Sequence, residues 1–269
     1  MKRSIAFLMA LMQMVGCLAA CNSSKNNNNN APTEAEQAAS SQADSAAASS
    51  KEEATESQYE KAGSVSVGKT DSLWKNSTEL TTSGDSKELT PTITIFDKEY
   101  TIGLTTLKQL VHDGWGYDTE SWKKVNMDQK IEYKTGYSGK TLDNNTAEIQ
   151  VSIGNYASTF ATPVDCIVTE IEMKGSPEGV FTKAGVKICG DKIDLSKYAT
   201  LDDLESALTS AASWVEKKEN SSKSYSYHFL AQDGNGSITL SVATDDSKKI
   251  KNYNLDMKIS SDYSFEKKD

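Results

Sequence analysis

ITIFDKEYTIGLTTLKQL, residues 93–110, can be laid over VKICGDKIDLSKYATLDDL, residues 186–204, with one or two residues of slack. In each stretch a short alternating strand reaches a turn containing Asp-Lys, a second short strand follows, and a helix begins at Thr-Leu-x-x-Leu. Thr106 and Thr200 are predicted helix N-caps, because a threonine oxygen can accept from the free amides of a first helical turn. The pattern predicts two related units.

Each predicted helix carries one apolar stripe, which favours packing against a sheet. The first stripe is short and stops at Gly114, whereas the second runs from Leu201 to about Ala212. Trp115 and Trp214 follow the two helices and are predicted to fill the core; the alternative is that they form platforms for a ligand.

The sequence after each helix alternates as β-strands do. The predicted strands are Lys130–Lys134, Ala147–Gly154 and Val164–Met173 in the first unit, and Ser224–Leu230, Ser237–Ala243 and Tyr253–Ile259 in the second. YKTGYSGKTLDNNT and QDGNG, between strands, are typical of turns. The predicted fold is therefore α+β: two tandem repeats (91–175 and 176–269) of a hairpin, a helix and about three antiparallel strands.

The chain begins with the layout of a secretory signal peptide: Lys2 and Arg3, an apolar run from Ile5 to about Leu18, and then small residues before Cys21. The run is shorter than the about 20 residues that a membrane-crossing helix needs.

Residues 18–21, Leu-Ala-Ala-Cys, closely resemble the lipobox of bacterial lipoproteins. The resemblance implies a lipoprotein signal peptide over 1–20, cleavage after Ala20 and a diacylated Cys21. It implies an anchor in the cell membrane, with the chain facing outside the cytoplasm. The alternative is an ordinary secretory signal that is cleaved nearby and leaves Cys21 unmodified.

Residues 21–90 are predicted to be the lipidated cysteine and a disordered, low-complexity tether. Asn26 to Asn30 stand in a row, and almost only Ala, Ser, Glu, Gln and Asp follow to about residue 62. Such a stretch cannot bury enough apolar surface to offset the entropy of ordering the chain. Residues 63–90 are less biased and are expected either to pack loosely or to stay disordered.

The charge of the chain excludes some partners. The formal net charge is −9, and it becomes −11 when Lys2 and Arg3 leave with the signal. Nucleic acid and anionic lipid surfaces are therefore poor partners. We expect membrane contact through the diacylglyceryl anchor, and a protein or another envelope component as a further partner.

Cys166 and Cys189 are the cysteines that remain after the signal and the lipidation site are set aside. In an exported chain they either form a disulfide, which would contribute on the order of 3 kcal/mol, or stay as two separate buried thiols. The residues leave both alternatives open.

The duplicated unit resembles the tandem architecture of β-lactamase inhibitor proteins and of small outer-membrane assembly lipoproteins. It is also similar to surface lipoproteins of Gram-positive gut bacteria, in which an Asp-Gly-x-x-Tyr-x-Ile/Leu segment precedes Leu-x-x-Leu and Gly-Trp. The corresponding residues here are 97–102 (Asp-Lys-Glu-Tyr-Thr-Ile), 107–110 and 114–115. These are packing motifs, and the resemblance implies no activity.

The residue types that carry catalysis or bind metals do not form a recognisable motif. His112 and His228 are predicted at the surface or its boundary, without a zinc site. GSVSVGKTD, residues 63–71, only mimics a phosphate-binding loop, and DGNGS, residues 233–237, is better explained as a hairpin turn than as a calcium loop. Glu170 and Glu172 share a strand face and are predicted to be solvated. We therefore expect no cofactor, no metal and no enzyme activity.

The function expected from the sequence is that of a binding or interaction module at the cell surface. An exposed aromatic patch would favour binding, built from Tyr225, Tyr227 and Phe229 or from Tyr133 and Tyr137, although these side chains also fit half-buried strand positions. One alternative is a structural or envelope-maintenance role. Another is hydrolysis of a cell-wall or glycan substrate by scattered carboxylates.

Overall fold

Antiparallel strands make up most of the described structure. The computed structural model describes residues 72–157 and 159–260, except the side chain of Asp233, together with the backbone alone of 59–61 and 265–267. Over these residues the fold is α+β, as the sequence predicted. The strands are β1 Tyr59–Lys61, β2 Thr78–Glu79, β3 Thr92–Ile95, β4 Lys98–Thr101, β5 Gly136–Asp143, β6 Glu148–Gly154, β7 Ile167–Gly175, β8 Lys187–Ile188, β9 Ile193–Asp194, β10 Val215–Ser221, β11 Ser224–Ala231, β12 Gly236–Thr244, β13 Ile250–Ile259 and β14 Phe265–Lys267.

The helices are few and short. They are α1 Leu107–His112, α2 Thr182–Ala184 and α3 Leu201–Ala211, with a π-helical turn at Pro177–Phe181 and 3-10 turns at Ser86–Glu88, Glu120–Trp122, Pro163–Asp165 and Gln232–Gly234. Both predicted N-caps are confirmed: the Thr106 hydroxyl accepts from the Gln109 amide and the Thr200 hydroxyl accepts from the Asp203 amide, each at 3.3 Å.

Three sheets contain the strands. The largest has the order β2-β10-β11-β12-β13-β7-β6-β5, the second has the order β4-β3-β8-β9, and β1 pairs with β14. The hairpins β3–β4 and β8–β9 meet in one sheet through β3 and β8, and the strands that follow α1 and α3 meet in the other through β7 and β13. Residues 91–175 and 176–269 therefore contribute hairpin, helix and strands in the same order to shared sheets.

Strand prediction succeeded where apolar residues alternate and failed at the margins of the large sheet. The strand predicted at Lys130–Lys134 is wrong, because Ile131 makes only an isolated bridge, to Ala161. Strand β5 was taken for a turn, since its two glycines and its bulge hide the alternation. Strand β10 was missed because its Glu and Lys residues suit a strand near a sheet edge, where charge blocks further pairing.

Residues 72–90 belong to the fold, although the sequence predicted that the tether reaches residue 90. The Leu80 amide donates to the Val215 carbonyl at 2.9 Å, and β2 pairs with β10. A Cβ on Gly84 would lie 2.2 Å from the carbonyl carbon of Ala211, so this segment lies against the end of α3. Leu89 is fully buried. Hydrogen bonds and close backbone packing against residues far away in the sequence hold the segment in place, rather than a continuous apolar stripe.

Candidate functional site

One face of the large sheet carries a row of polar residues that crosses all eight strands. Directly paired neighbours in an antiparallel sheet point to the same face. We call this set the polar row; in sheet order it consists of Glu79, Glu216, His228, Thr239, Asp256, Glu172, Gln150 and Thr141. The apolar residues that precede and follow these positions along the central strands point to the opposite face and form the core.

Glu216 anchors the segment 72–79 to the sheet. Its carboxylate accepts from the Ser72 and Ser77 hydroxyls, from the Leu73 amide at 3.0 Å and from the Trp74 amide at 3.4 Å. The residue is 2% exposed. Burial alone would raise the pKa of this carboxyl, but the four hydrogen bonds outweigh burial and lower it below its usual range. Glu216 is therefore a fixed negative charge.

Two indoles flank the imidazole of His228, the strand neighbour of Glu216. The ring centroids of Trp74 and Trp214 lie 6.0 and 5.5 Å from that of His228, both in edge-to-face arrangements. His228 is buried, which corrects its predicted surface position, and burial lowers its pKa despite the opposing effect of nearby Glu216. The imidazole is thus neutral near pH 7.

A depression of about 400 Å³ opens beside these rings. We call it the tryptophan pocket; it is lined by Ser72, Trp74, Asn76, Ser77, Glu79, Trp214 and Glu216. Trp74 and Trp214 are both half-buried. Trp115 is in the core as predicted, with its indole N–H donating to the Tyr100 hydroxyl at 3.2 Å, but Trp214 is not fully buried and instead presents part of its ring to the pocket.

Three carboxylates crowd the centre of the polar face. Asp256 pairs directly with Glu172, and Glu170 lies on the same strand face as Glu172. Burial raises the pKa of Asp256; Lys258, 3.6 Å from its Oδ2, partly offsets this, and the charges of Glu170 and Glu172 raise it further. Among the described residues, Asp256 Oδ1 and Asn254 Oδ1 are buried and have no hydrogen-bond partner. Glu170 and Glu172 are themselves half-buried, which corrects the prediction that they are solvated.

The side chains of this cluster offer little besides their charge for binding a ligand. The Ser152 hydroxyl donates to Glu170 at 2.6 Å and Lys174 lies 2.9 Å from Glu172. Within the described ranges, no three His, Cys, Asp or Glu side chains come together in a way that could hold a metal ion.

A larger depression, of about 570 Å³, lies between the 83–88 segment and α3. Its charged lining includes Glu88 and Lys192, which already form an ion pair at 2.7 Å. The rest of its lining is small or polar, including Gly84 and Ala211. It therefore offers a ligand less than the tryptophan pocket does.

The aromatic residues of β11 do not form the exposed patch that was one of the two alternatives for them, and they are more buried than the half-buried alternative required. Tyr225, Tyr227 and Phe229 are buried, because they point to the core face of the sheet. Tyr133 is exposed and Tyr137 is half-buried, but Tyr137 donates to Gln129 at 3.1 Å. These two tyrosines lie before and within β5, away from the tryptophan pocket in the strand order.

Cys166 and Cys189 are free, buried thiols in the structure. Burial raises the pKa of each to about 12. The Cys166 thiol donates to the Thr162 carbonyl at 3.4 Å. Neither side chain is part of the polar row.

Other predicted positions fall outside the candidate site or outside the described residues. Ala20, Cys21 and the loop-like stretch 63–71 are not among the residues that the structure describes. His112 is exposed at the end of α1. Residues 232–234 form a 3-10 turn between β11 and β12, as the hairpin interpretation of DGNGS predicted.

The residues that sequence reasoning missed are Trp74, Glu79 and Glu216. A tryptophan in an otherwise polar segment was the available signal, because an isolated large apolar side chain in such a context needs a packing partner. The partner itself could not be read from the sequence, since Trp74 and Glu216 are 142 positions apart.

No protein-family model matches the chain, and no curated protein or solved structure matches it either. None of the helices in the described part of the chain has the length and apolar character needed to cross a bilayer.

Proposed function

We propose that the chain is a lipid-anchored extracytoplasmic protein whose α+β domain is a binding module at the cell surface. The tryptophan pocket is the observation that carries the binding role. It combines two half-buried indoles with two carboxylates in one depression of about 400 Å³, which lies within the range of small-ligand sites. The proposed anchor rests on the lipobox-like residues 18–21.

The proposed role is binding without catalysis. A general acid or base must change its protonation state near the working pH. Glu216 does not meet this requirement, because four donors hold its pKa low, and neighbouring His228 is neutral and in edge-to-face contact with both indoles. The pocket therefore supplies shape, aromatic surface and fixed charge rather than proton transfer.

Sedimentation with isolated cell envelopes tests the binding role. We expect the purified full-length chain carrying Cys21→Ala, which removes the proposed acyl anchor, to sediment with the envelopes, and Trp74→Leu and Trp214→Leu in that background to reduce the bound fraction. Tyr133→Leu is the matched control, since Tyr133 is an exposed aromatic residue outside the pocket. Equal binding by all three variants would remove the pocket from the proposal.

Metabolic labelling tests the anchor. Labelled palmitate should enter the wild-type protein and not the Cys21→Ala variant, because acylation needs the thiol. Label in the variant at the wild-type level would contradict the assignment of Cys21.

We also propose that 91–175 and 176–269 are two copies of one unit. Supporting this, both contain a hairpin, a threonine-capped helix and antiparallel strands in the same order, and the copies meet at the β3–β8 and β7–β13 pairs. Superposition of the two halves in a crystal structure should place Thr106 on Thr200 with the strands aligned in direction. Opposed strand directions would contradict a duplication.

A further inference from the structure

We propose that the tryptophan pocket binds an organic ammonium cation between Trp74, Trp214 and the carboxylates of Glu79 and Glu216. The inference deepens the proposed function and rests on it for biological meaning.

Aromatic surface is the first requirement for such a ligand. Tryptophan is the most favourable aromatic partner for a cation, since its ring face carries negative electrostatic potential. Both indoles line the pocket and both are half-buried, so part of each ring is in contact with solvent. Their contacts with His228 at 6.0 and 5.5 Å keep the rings in place without a ligand.

Charge is the second requirement. Glu79 and Glu216 are direct cross-strand neighbours on β2 and β10, and like charges at opposed positions of a sheet are unfavourable. Among the described residues that line the pocket, none is Lys or Arg. The two carboxylates in the lining make the pocket more favourable for a cation than for an anion.

Glu216 contributes charge rather than a vacant acceptor. Its oxygens already accept from four donors in the 72–77 segment. A cation without strongly directional hydrogen bonding suits such a site. The amide of Asn76 and the exposed carboxylate of Glu79 lie at the rim, where they could contact the remainder of a ligand.

Tryptophan fluorescence of the purified full-length chain provides the readout. Trp115 and Trp122 are buried elsewhere, so a ligand-dependent change reports on Trp74 and Trp214. Choline is titrated at constant ionic strength against its neutral isostere 3,3-dimethylbutan-1-ol. Calorimetry with the same probes gives an independent dissociation constant.

We expect choline to give a saturable change that the isostere does not give. Trp74→Leu or Trp214→Leu should weaken choline binding about tenfold each, and Glu79→Gln should weaken it by a smaller, salt-sensitive factor. Tyr133→Leu and Glu120→Gln remove an exposed aromatic residue and an exposed carboxylate elsewhere, and should leave binding unchanged. Because Glu79 is exposed, its variant keeps the test valid if a tryptophan variant fails to fold.

The source of the ammonium group is distinguished by a second cation. Tighter binding of choline than of Nα-acetyl-lysine amide indicates a quaternary headgroup, and the reverse order indicates a lysine side chain of a partner protein. Equal binding of choline and its neutral isostere would overturn the inference, as would no saturable response to either cation. Binding of diacetylchitobiose in place of both would reassign the pocket to carbohydrate.

The two proposals fail differently. Loss of envelope binding in Trp74→Leu without any choline binding would reject the cation and keep the binding role. If choline binds but no pocket variant changes envelope binding, the cation site is kept and its role at the envelope is rejected.

Discussion

Glu216→Gln tests whether one buried carboxylate holds the 72–79 segment on the sheet. The two carboxylate oxygens accept from different backbone amides: Oε2 from Leu73 at 3.0 Å and Oε1 from Trp74 at 3.4 Å. In either orientation, the NH₂ group of a glutamine therefore faces a backbone N–H donor. Hydroxyls can rotate to accept from the new NH₂, but an amide cannot.

The expected cost follows from these contacts. One buried donor left without an acceptor costs about 1–3 kcal/mol, and a remaining hydrogen bond that loses its charged acceptor weakens by about 1 kcal/mol. We therefore expect Glu216→Gln to lower the free energy of unfolding by about 2–4 kcal/mol. Glu219→Gln is the matched control, because Glu219 is an exposed residue on the same strand, where surface changes cost at most about 0.5 kcal/mol.

Urea denaturation followed by circular dichroism measures the difference, and hydrogen exchange of residues 72–80 shows whether the segment is released. The pH dependence gives a second measure. Since folding lowers the pKa of Glu216, its contribution is present above the ordinary pKa of 4.5 and is lost as the pH falls through the lowered value. Glu216→Gln should lack this part of the acid sensitivity. A Glu216→Gln chain as stable as Glu219→Gln, with unchanged exchange at 72–80, would refute the anchoring role.

Further predictions concern Asp256, His228 and the cysteines. Because burial and neighbouring carboxylates raise the pKa of Asp256, its charge opposes folding at neutral pH. Asp256→Asn should therefore stabilise the protein by up to about 1 kcal/mol in thermal melts, and the gain should vanish below the ordinary pKa of 3.8. Asp245→Asn is the control and should give no gain, because Lys251 lowers the pKa of Asp245. Burial lowers the pKa of His228, so the free energy of unfolding should fall as the pH drops from 6.5 toward the folded value, and His228→Leu should flatten that slope; an unchanged slope would contradict the burial argument. Cys166 and Cys189 should react with a thiol reagent only after unfolding, because both are buried with a pKa of about 12; a processed chain that shows no thiols when unfolded without reductant would instead contain the disulfide.

Local signals in the sequence predicted the parts of the fold that local interactions determine. An N-cap needs a side-chain oxygen three residues before the amide that donates to it, and Thr106 and Thr200 each supply one. Strands β12 and β13 were found because alternate residues reach the core. Strands β2 and β10, at one margin of the sheet, were not predicted. The sequence of β10 is mostly charged, and the pairing of the two strands depends on residues far apart in the sequence.

The candidate site lay beyond sequence reasoning for the same reason. Trp74 comes from a segment that composition favours as tether, and Trp214, like Trp115, was predicted to fill the core because it follows a helix. Only the β2–β10 pairing brings Glu79 opposite Glu216 and places both indoles beside His228. Periodicity predicts which face a residue shares with its strand neighbours, but not which strands are adjacent.

The 72–79 segment links stability and binding, because it completes the sheet margin and also supplies one indole and one carboxylate of the pocket. Its attachment depends on hydrogen bonds, both to Glu216 and across the β2–β10 pair, rather than on deep apolar burial, since Leu73 is exposed and Trp74 is half-buried. Segments with little buried apolar surface open at lower free energy than a core does. A ligand that binds only when the segment is in place would stabilise it by an amount that grows with ligand concentration. A ligand bound in the tryptophan pocket would therefore also stabilise the attachment of the 72–79 segment, which follows the low-complexity part of the predicted tether in the sequence.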